Sequence, residues 1–334
     1  MPSPIQLTNP RRAHWRTALI LLLAALLSVH FAMMVAKGTS LFLDTAAYTG
    51  FTAKRPFQYR LLMAPVLDAL IHLHPVAAGL GPQLPAYLAR PDQLAYAVIN
   101  AAAFFIALLA LWPLALRVHG GDRALAALST ALFVVLAYLF FCLNPNLAFA
   151  LPYDIPALAF TLLSLLLYRH GWWAALFALF ALATLNRETI LFVPIAIAIR
   201  ALLPGGNRRD LFGVAGLVLV WVAIKAALAI RFAHLPSEEG LRLGYNFAEL
   251  AKPWQWPAIF VLPLLFALAA RAAMRRDHAC DLALAALVGG TILFAVGQLT
   301  ETRAFGELIP YLALCLAPLV QGWLAPLSSP RHPH

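Results

Sequence analysis

Charged residues are scarce in this sequence. They make up 11% of the 334 residues, against about 25% in soluble globular domains. Hydrophobic residues make up 63%, well above the roughly 45–50% that a soluble domain contains. A soluble core cannot bury this excess, so the composition excludes a soluble protein and predicts a membrane protein.

Cysteine is also scarce, and the common nucleotide and hydrolase motifs are missing. Cys142, Cys280 and Cys315 are widely spaced, and two of them fall at or within apolar segments. This pattern excludes a disulfide framework and offers no metal-ligand spacing. The sequence has no Walker motif, GxSxG, HExxH or glycine-rich dinucleotide loop. A nucleotide-driven reaction on the cytosolic side therefore has no recognisable site.

Long apolar runs are abundant. They are rich in Ala and Leu and lack the period-two alternation of a transmembrane barrel, which indicates helices. We predict an all-α fold, a polytopic transmembrane helical bundle of about ten spans that forms one domain over residues 1–334. The predicted spans are Thr17–Ala36, Gln93–Leu116, Ala124–Cys142, Ala148–Tyr168, Trp172–Leu185, Thr189–Leu203, Leu211–Ile230, Pro257–Ala270, Asp281–Leu299 and Glu307–Leu324.

The positive charge predicts the orientation in the membrane. The net charge of +10 comes largely from arginines in short loops, which the positive-inside rule places in the cytoplasm. Both basic termini are then cytoplasmic, the lipid bilayer is the partner of the basic loops, and no nucleic acid is implied. Two larger loops, residues 37–92 and 231–256, are external. In the first of them Arg60–Leu73 is apolar but interrupted by Pro65, which predicts a juxtamembrane helix lying along the bilayer.

This topology places five polar segments on the external side. Their charges lie near the membrane edge, where burial costs less than the roughly 2.5–3.5 kcal/mol at mid-bilayer. Asp154 is the exception, since it lies several residues into an apolar run, where it either caps a helix or serves a site. The segments are Asp44–Arg60, Asn144–Asp154, Asn186–Glu188, Glu238–Asn246 and Glu301–Glu307.

The residue types in these segments suit a lipid-linked phosphate substrate. Guanidinium groups bind phosphate oxygens in pairs, which makes Arg55, Arg60, Arg187 and Arg303 candidate phosphate ligands. A carboxylate can accept a proton from an attacking hydroxyl, and Asp44 is the best candidate because it closely follows the first span. The other predicted substrate-binding residues are Tyr48, Asp154, Asn186, Glu188 and Glu301.

Four of these features resemble the GT-C class of polytopic glycosyltransferases, in particular bacterial relatives of the protein mannosyltransferases and lipid A aminoarabinose transferases. They are Asp44 after the first span, RPFQYRLL at Arg55–Leu62, LNRET at Leu185–Thr189 and ETR at Glu301–Arg303. The resemblance implies an inverting transfer of a sugar from a polyprenyl-phosphate carrier at the outer face of the bacterial inner membrane. Asp44 would act as the base and the arginines would hold the carrier phosphate.

The resemblance leaves two points open. Many members have a pair of acids in the first external loop, whereas this chain has Asp44 alone, so no cofactor is assigned and the use of a divalent cation stays open. The acceptor, whether a glycan, a lipid or a protein, is not specified.

Two other functions compete with the enzyme. A transporter or flippase of a lipid-linked or anionic substrate could use the same charges, but it predicts internal repeats and ionisable residues near mid-bilayer on several helices. An assembly partner of an envelope complex would use the polar turns for docking. The clustering of charge at one side and the lack of a clear repeat favour the enzyme.

Overall fold

The computed structural model describes residues 10–38, 43–55, 57–73, 85, 88–142, 151–237, 240–275 and 279–328. Within these ranges every regular element is a helix, which confirms the predicted all-α class. Five apolar segments in the described ranges are long enough to cross a membrane. The protein is therefore a helical membrane protein. The five segments are Thr17–Lys37, Pro91–Val118, Arg123–Phe141, Asp210–Arg231 and Thr302–Leu324.

The helices follow one another with short connections. Segments of 3-10 helix lie at Phe57–Tyr59, Glu188–Leu191, Pro253–Gln255 and Thr302–Leu308. The α-helices are α1 Pro10–Gly38, α2 Thr45–Thr49, α3 Met63–His72, α4 Pro91–Val118, α5 Arg123–Phe141, α6 Asp154–His170, α7 Trp173–Asn186, α8 Phe192–Leu202, α9 Asp210–Arg231, α10 Leu243–Leu250, α11 Trp256–Ile259, α12 Val261–Arg275, α13 Cys280–Val296 and α14 Ile309–Ser328.

Five of the ten predicted spans correspond to helices shorter than the roughly 20 residues that a perpendicular crossing needs. These are α6, α7, α8, α12 and α13, with 17, 14, 11, 15 and 17 residues. The predicted sixth span, Thr189–Leu203, is shortened because its first residues belong to a 3-10 segment. The predicted juxtamembrane stretch contains a helix, α3, of 10 residues.

The core of the bundle is built around α14 and the 3-10 segment that precedes it. This stretch is almost entirely buried and packs against α5, α12 and α13, while α4 packs against α6 and α1. By contrast, α9 exposes most of its apolar residues, among them Phe212 and Leu219. We expect this exposed apolar surface to face lipid, where apolar side chains do not need to be covered by protein.

Two glycines of α13 allow its neighbours to approach closely. A Cβ at Gly289 would lie 2.8 Å from Cδ2 of Leu308, and a Cβ at Gly290 would overlap the ring of Phe266 on α12. Small residues at helix contacts are typical of membrane bundles, since they let backbones approach each other.

The bundle has two ends that can be told apart by α6. Asp154 lies in the first turn of α6 and Arg169 in its last turn. Fifteen residues of α-helix separate them by about 22 Å. Arg117 and Arg200 likewise lie in the last turns of α4 and α8, and Arg117 bonds to Arg169. We name these the Asp154 end and the Arg169 end.

Candidate functional site

Asp154 occupies the N-terminus of α6 and is 2% exposed. The helix starts here because Pro152 and Pro156 flank it, and a proline is tolerated in the first turn of a helix. A carboxylate is stabilised at this position by the positive end of the helix dipole. Its side chain points to two arginines rather than capping its own helix.

Arg187 pairs with Asp154 from the end of α7. Its backbone is extended, with φ −160° and ψ 140°, so α7 stops at Asn186 and the chain turns into a 3-10 segment. Its Nη1 lies 2.5 Å from Oδ1 of Asp154, and its Nε forms an ion pair with Oε1 of Glu307. One guanidinium therefore joins two buried carboxylates.

Arg303 reaches Asp154 from the 3-10 segment before α14. Its Nη1 lies 2.8 Å from Oδ2 of Asp154, and its Nη2 lies 3.2 Å from Oε2 of Glu301. Each oxygen of Asp154 thus accepts from a different arginine. Charge-assisted hydrogen bonds of this kind are the strong ones, and they fix three separate chain segments relative to one another.

A second set of ion pairs lies beside the first, around Glu188. Arg60 donates from Nη2 and Nε to the two oxygens of Glu188 over 2.6 Å and 3.3 Å, and Nζ of Lys225 lies 3.9 Å from Oε2. The guanidinium of Arg60 also lies 4.5 Å from the centre of the Tyr153 ring. Burial by itself raises the pKa of Glu188, but Arg60 and Lys225 outweigh it and hold the pKa below its usual value.

The two sets form one structure, because Arg187 and Glu188 are adjacent and Tyr153 adjoins Asp154. Four basic and four acidic side chains are involved, so their formal charges balance. Buried ions are costly unless they are paired and hydrogen-bonded, and this balance limits that cost. We call the set the charged cluster. Its members are Arg60, Asp154, Arg187, Lys225, Glu188, Glu301, Arg303 and Glu307.

The other predicted site residues surround the charged cluster. Tyr48 is buried and donates to the carbonyl of Arg60, and its ring meets that of Tyr153. Asn186 is fully buried, and its Nδ2 donates to the carbonyl of Tyr153 over 3.0 Å. Tyr48 and Asn186 therefore position residues at the cluster through hydrogen bonds to backbone carbonyls.

Asp44 and Arg55 lie outside the charged cluster. Asp44 is exposed and accepts from the N–H of Ala47, so it caps α2 one helical turn before Tyr48. Arg55 donates to the carbonyl of Leu235 over 2.9 Å and to the hydroxyl of Tyr59. Among the described residues, neither takes part in the ion pairs of the cluster.

The predicted segment Glu238–Asn246 reaches the cluster indirectly. Asn246 donates to the carbonyls of Phe294 and Gly297 and accepts from the N–H of Leu299. It therefore fixes the end of α13 just before Glu301. Residues 143–150 and Glu238 and Glu239, part of the predicted polar segments, lie outside the described residues.

Two members of the charged cluster, Lys225 and Glu307, were not among the predicted binding residues. Lys225 lies near the end of the predicted span Leu211–Ile230, where the ammonium of a lysine ordinarily extends to the membrane interface. Its ammonium instead pairs with Glu188 and lies 4.6 Å from the centre of the Tyr59 ring. The sequence feature that could have pointed to Lys225 is Trp221, one helical turn earlier. The indole N–H of Trp221 donates to the carbonyl of Glu188. Glu307 was predicted as the end of a polar segment and the first residue of the last span, not as a binding residue.

The structure offers no obvious metal site in the part of the chain that it describes, since no three His, Cys, Asp or Glu side chains there are placed to share one ion. Comparison with family models, curated proteins and solved structures finds no match to this chain.

Proposed function

We propose that this protein is a membrane glycosyltransferase that uses a polyprenyl-phosphate-linked sugar as donor. The observation that supports the proposal is the charged cluster, which five separate chain segments build at one end of an apolar bundle. Ionised groups in such a place are expensive and usually serve a function. Three of its four cations are arginines, which bind phosphate in pairs of hydrogen bonds.

Two ion pairs of the cluster are the places where a phosphate would enter. Glu301 and Glu188 are 21% and 28% exposed at their side chains, whereas Asp154 and Glu307 are 3% and 2% exposed. A phosphate arriving from the surface therefore meets Arg303 and Arg60 first and can replace the outer carboxylates as their partner. Arg187 would remain tied to Asp154 and Glu307 and would position the other two.

Asp44 is the best general base among the acids near the cluster. Both oxygens of Asp154 accept from arginines, so neither is open to a hydroxyl of the acceptor. Asp44 is exposed, is joined to the cluster through Tyr48 and Arg60, and can receive an acceptor from solution or lipid. Attack by the acceptor oxygen on the anomeric carbon would release the polyprenyl phosphate with inversion, while Asp44 takes the proton.

We further propose the orientation that the basic loops predict. The chain would cross the bacterial inner membrane about ten times, with both termini in the cytoplasm and the Asp154 end outside, and α3 would lie along the membrane surface. The shorter helices would cross a bilayer thinned locally around the bundle or would draw on flanking residues.

The test uses Asp44→Asn. Asparagine caps helices as well as aspartate does, so α2 is retained while the base is lost. We expect unchanged thermal stability and unchanged binding of undecaprenyl phosphate, with transfer from a labelled polyprenyl-phosphate sugar reduced by about 10²–10⁴-fold.

Near-normal turnover of Asp44→Asn would remove Asp44 as the base. Movement of labelled undecaprenyl phosphate across the membrane of vesicles, without cleavage of any sugar donor, would indicate a flippase and not a glycosyltransferase.

A further inference from the structure

A cavity of about 730 Å³ opens at the Arg169 end, away from the charged cluster. Its volume falls within the roughly 300–1,000 Å³ of typical ligand pockets. It is lined by the ends of α4, α6 and α8 and by the start of α13, and Leu203 and Leu284 provide apolar walls. The polar side chains that line it are Arg117, Arg169, Arg200 and Asp281.

Two of the three guanidinium groups that line this cavity pair with one carboxylate. Nη2 of Arg169 lies 2.5 Å from Oδ2 of Asp281, and Nη1 of Arg200 lies 3.7 Å from the same oxygen. Arg117 donates to the carbonyl of Arg169 over 3.1 Å. One carboxylate balances one arginine, so the lining residues that the structure describes carry an excess of two positive charges.

Helix dipoles account for part of this arrangement. Arg117, Arg169 and Arg200 each lie in the last turn of a helix, where cations are favoured. That effect is local to each helix end and does not require the three to share one cavity. Arg200 is 43% exposed at its side chain, so it is accessible to a ligand, whereas Asp281 is 4% exposed and holds Arg169 in place.

We propose that this cavity binds a phosphate group, carried either by an anionic lipid or by a small soluble compound. Arg200 and Arg117 would contact the phosphate and Arg169, held by Asp281, would orient it. The cavity lies at the ends of apolar helices, which is the depth of lipid headgroups, and basic pockets between membrane helices bind such headgroups. The inference is independent of the proposed transfer reaction.

The experiment measures binding of two probes to the purified full chain in a neutral detergent. The lipid probe is dioctanoyl phosphatidylglycerol, with dioctanoyl phosphatidylcholine as its uncharged counterpart, and the soluble probe is inorganic pyrophosphate. The variants are Arg200→Gln and Arg117→Gln, and Arg208→Gln is the matched control, since Arg208 is exposed on the following turn and does not line the cavity.

We expect saturable binding of phosphatidylglycerol and weakening by about tenfold in Arg200→Gln and Arg117→Gln, with wild-type affinity in Arg208→Gln. Binding of pyrophosphate alone, with the same pattern among the variants, would support the phosphate site and assign it to a soluble ligand.

Equal affinity of all three variants for both probes, or no saturable binding of either, would overturn the proposal. Because Arg200 is half exposed, a folding defect is not expected, and an unchanged melting temperature of Arg200→Gln verifies this. Arg117, Arg200 and Arg208 are not members of the charged cluster, so failure here is distinct from failure of the proposed function.

Discussion

Asp154 is the residue that ties the charged cluster together. It accepts from Arg187 with one oxygen and from Arg303 with the other, at 2% exposure. Removing one partner of a buried ion pair leaves an uncompensated charge, which costs far more than the pair itself contributes. The stability of the Asp154 end therefore depends on this carboxylate even if the net value of the pairs is small.

Asp154→Asn is expected to destabilise the protein by about 3–5 kcal/mol, because two arginines lose a charged partner in a buried place. Asp68→Asn serves as the control, since Asp68 is 53% exposed and pairs with the exposed His72, and its expected effect is within about 0.5 kcal/mol. Thermal unfolding of both variants in the same detergent provides the measurement. Equal melting temperatures would show that the cluster contributes nothing to folding.

Partners within the cluster could not be read from the sequence. Arg187 lies 33 positions and Arg303 lies 149 positions from Asp154 in the sequence. Only the packing of the helices therefore decides which of these side chains meet. The sequence did predict that Asp154, Arg187 and Arg303 lie at or near breaks between apolar runs, where a charge costs least. The same reasoning failed for Lys225, which lies within an apolar helix.

At the scale of elements, hydrophobic runs predicted the longer helices well. The run Leu211–Ile230 corresponds to α9 at Asp210–Arg231, and Ala124–Cys142 corresponds to α5 at Arg123–Phe141. Short elements were harder, because an apolar run does not distinguish an α-helix from a 3-10 segment. Glu307 was predicted to open the last helix, yet it lies in the 3-10 segment Thr302–Leu308.

The contact of α12 with α13 gives a test at this scale. Gly290→Ala places a methyl group inside the volume of the Phe266 ring, and overpacking of this kind costs about 1–3 kcal/mol. Gly244→Ala is the control, because a Cβ there has open space and lies on the exposed helix α10. We expect a lower melting temperature for the first variant alone. A loss of the same size in both would mean that the glycine at the α12–α13 contact is not required.

At the scale of the whole molecule, the two ends of the bundle differ in charge. The Asp154 end holds a balanced set of buried ion pairs, whereas the Arg169 end has an excess of arginine around an open cavity. Under the orientation that we propose from the positive-inside rule, the Arg169 end would lie in the cytoplasm. Composition alone predicted a membrane protein, but the number of crossings depends on how the short helices lie in the bilayer.

Cysteine labelling in cells tests this orientation. In a background with the three native cysteines replaced, Ala46→Cys near the Asp154 end is expected to react with a membrane-impermeant maleimide in intact cells. Arg208→Cys, exposed at the other end, is expected to react only after the cells are permeabilised. The reverse pattern would invert the proposed topology and move the charged cluster to the cytoplasmic side.

A cryo-electron microscopy structure of the protein in lipid nanodiscs with undecaprenyl phosphate tests the central claim most directly. We predict density for the phosphate within hydrogen-bonding distance of Arg60 or Arg303, with Asp154 still bound to Arg187. The account would be contradicted if no phosphate density lay beside Arg60 or Arg303, or if these side chains lay apart on different faces of the membrane.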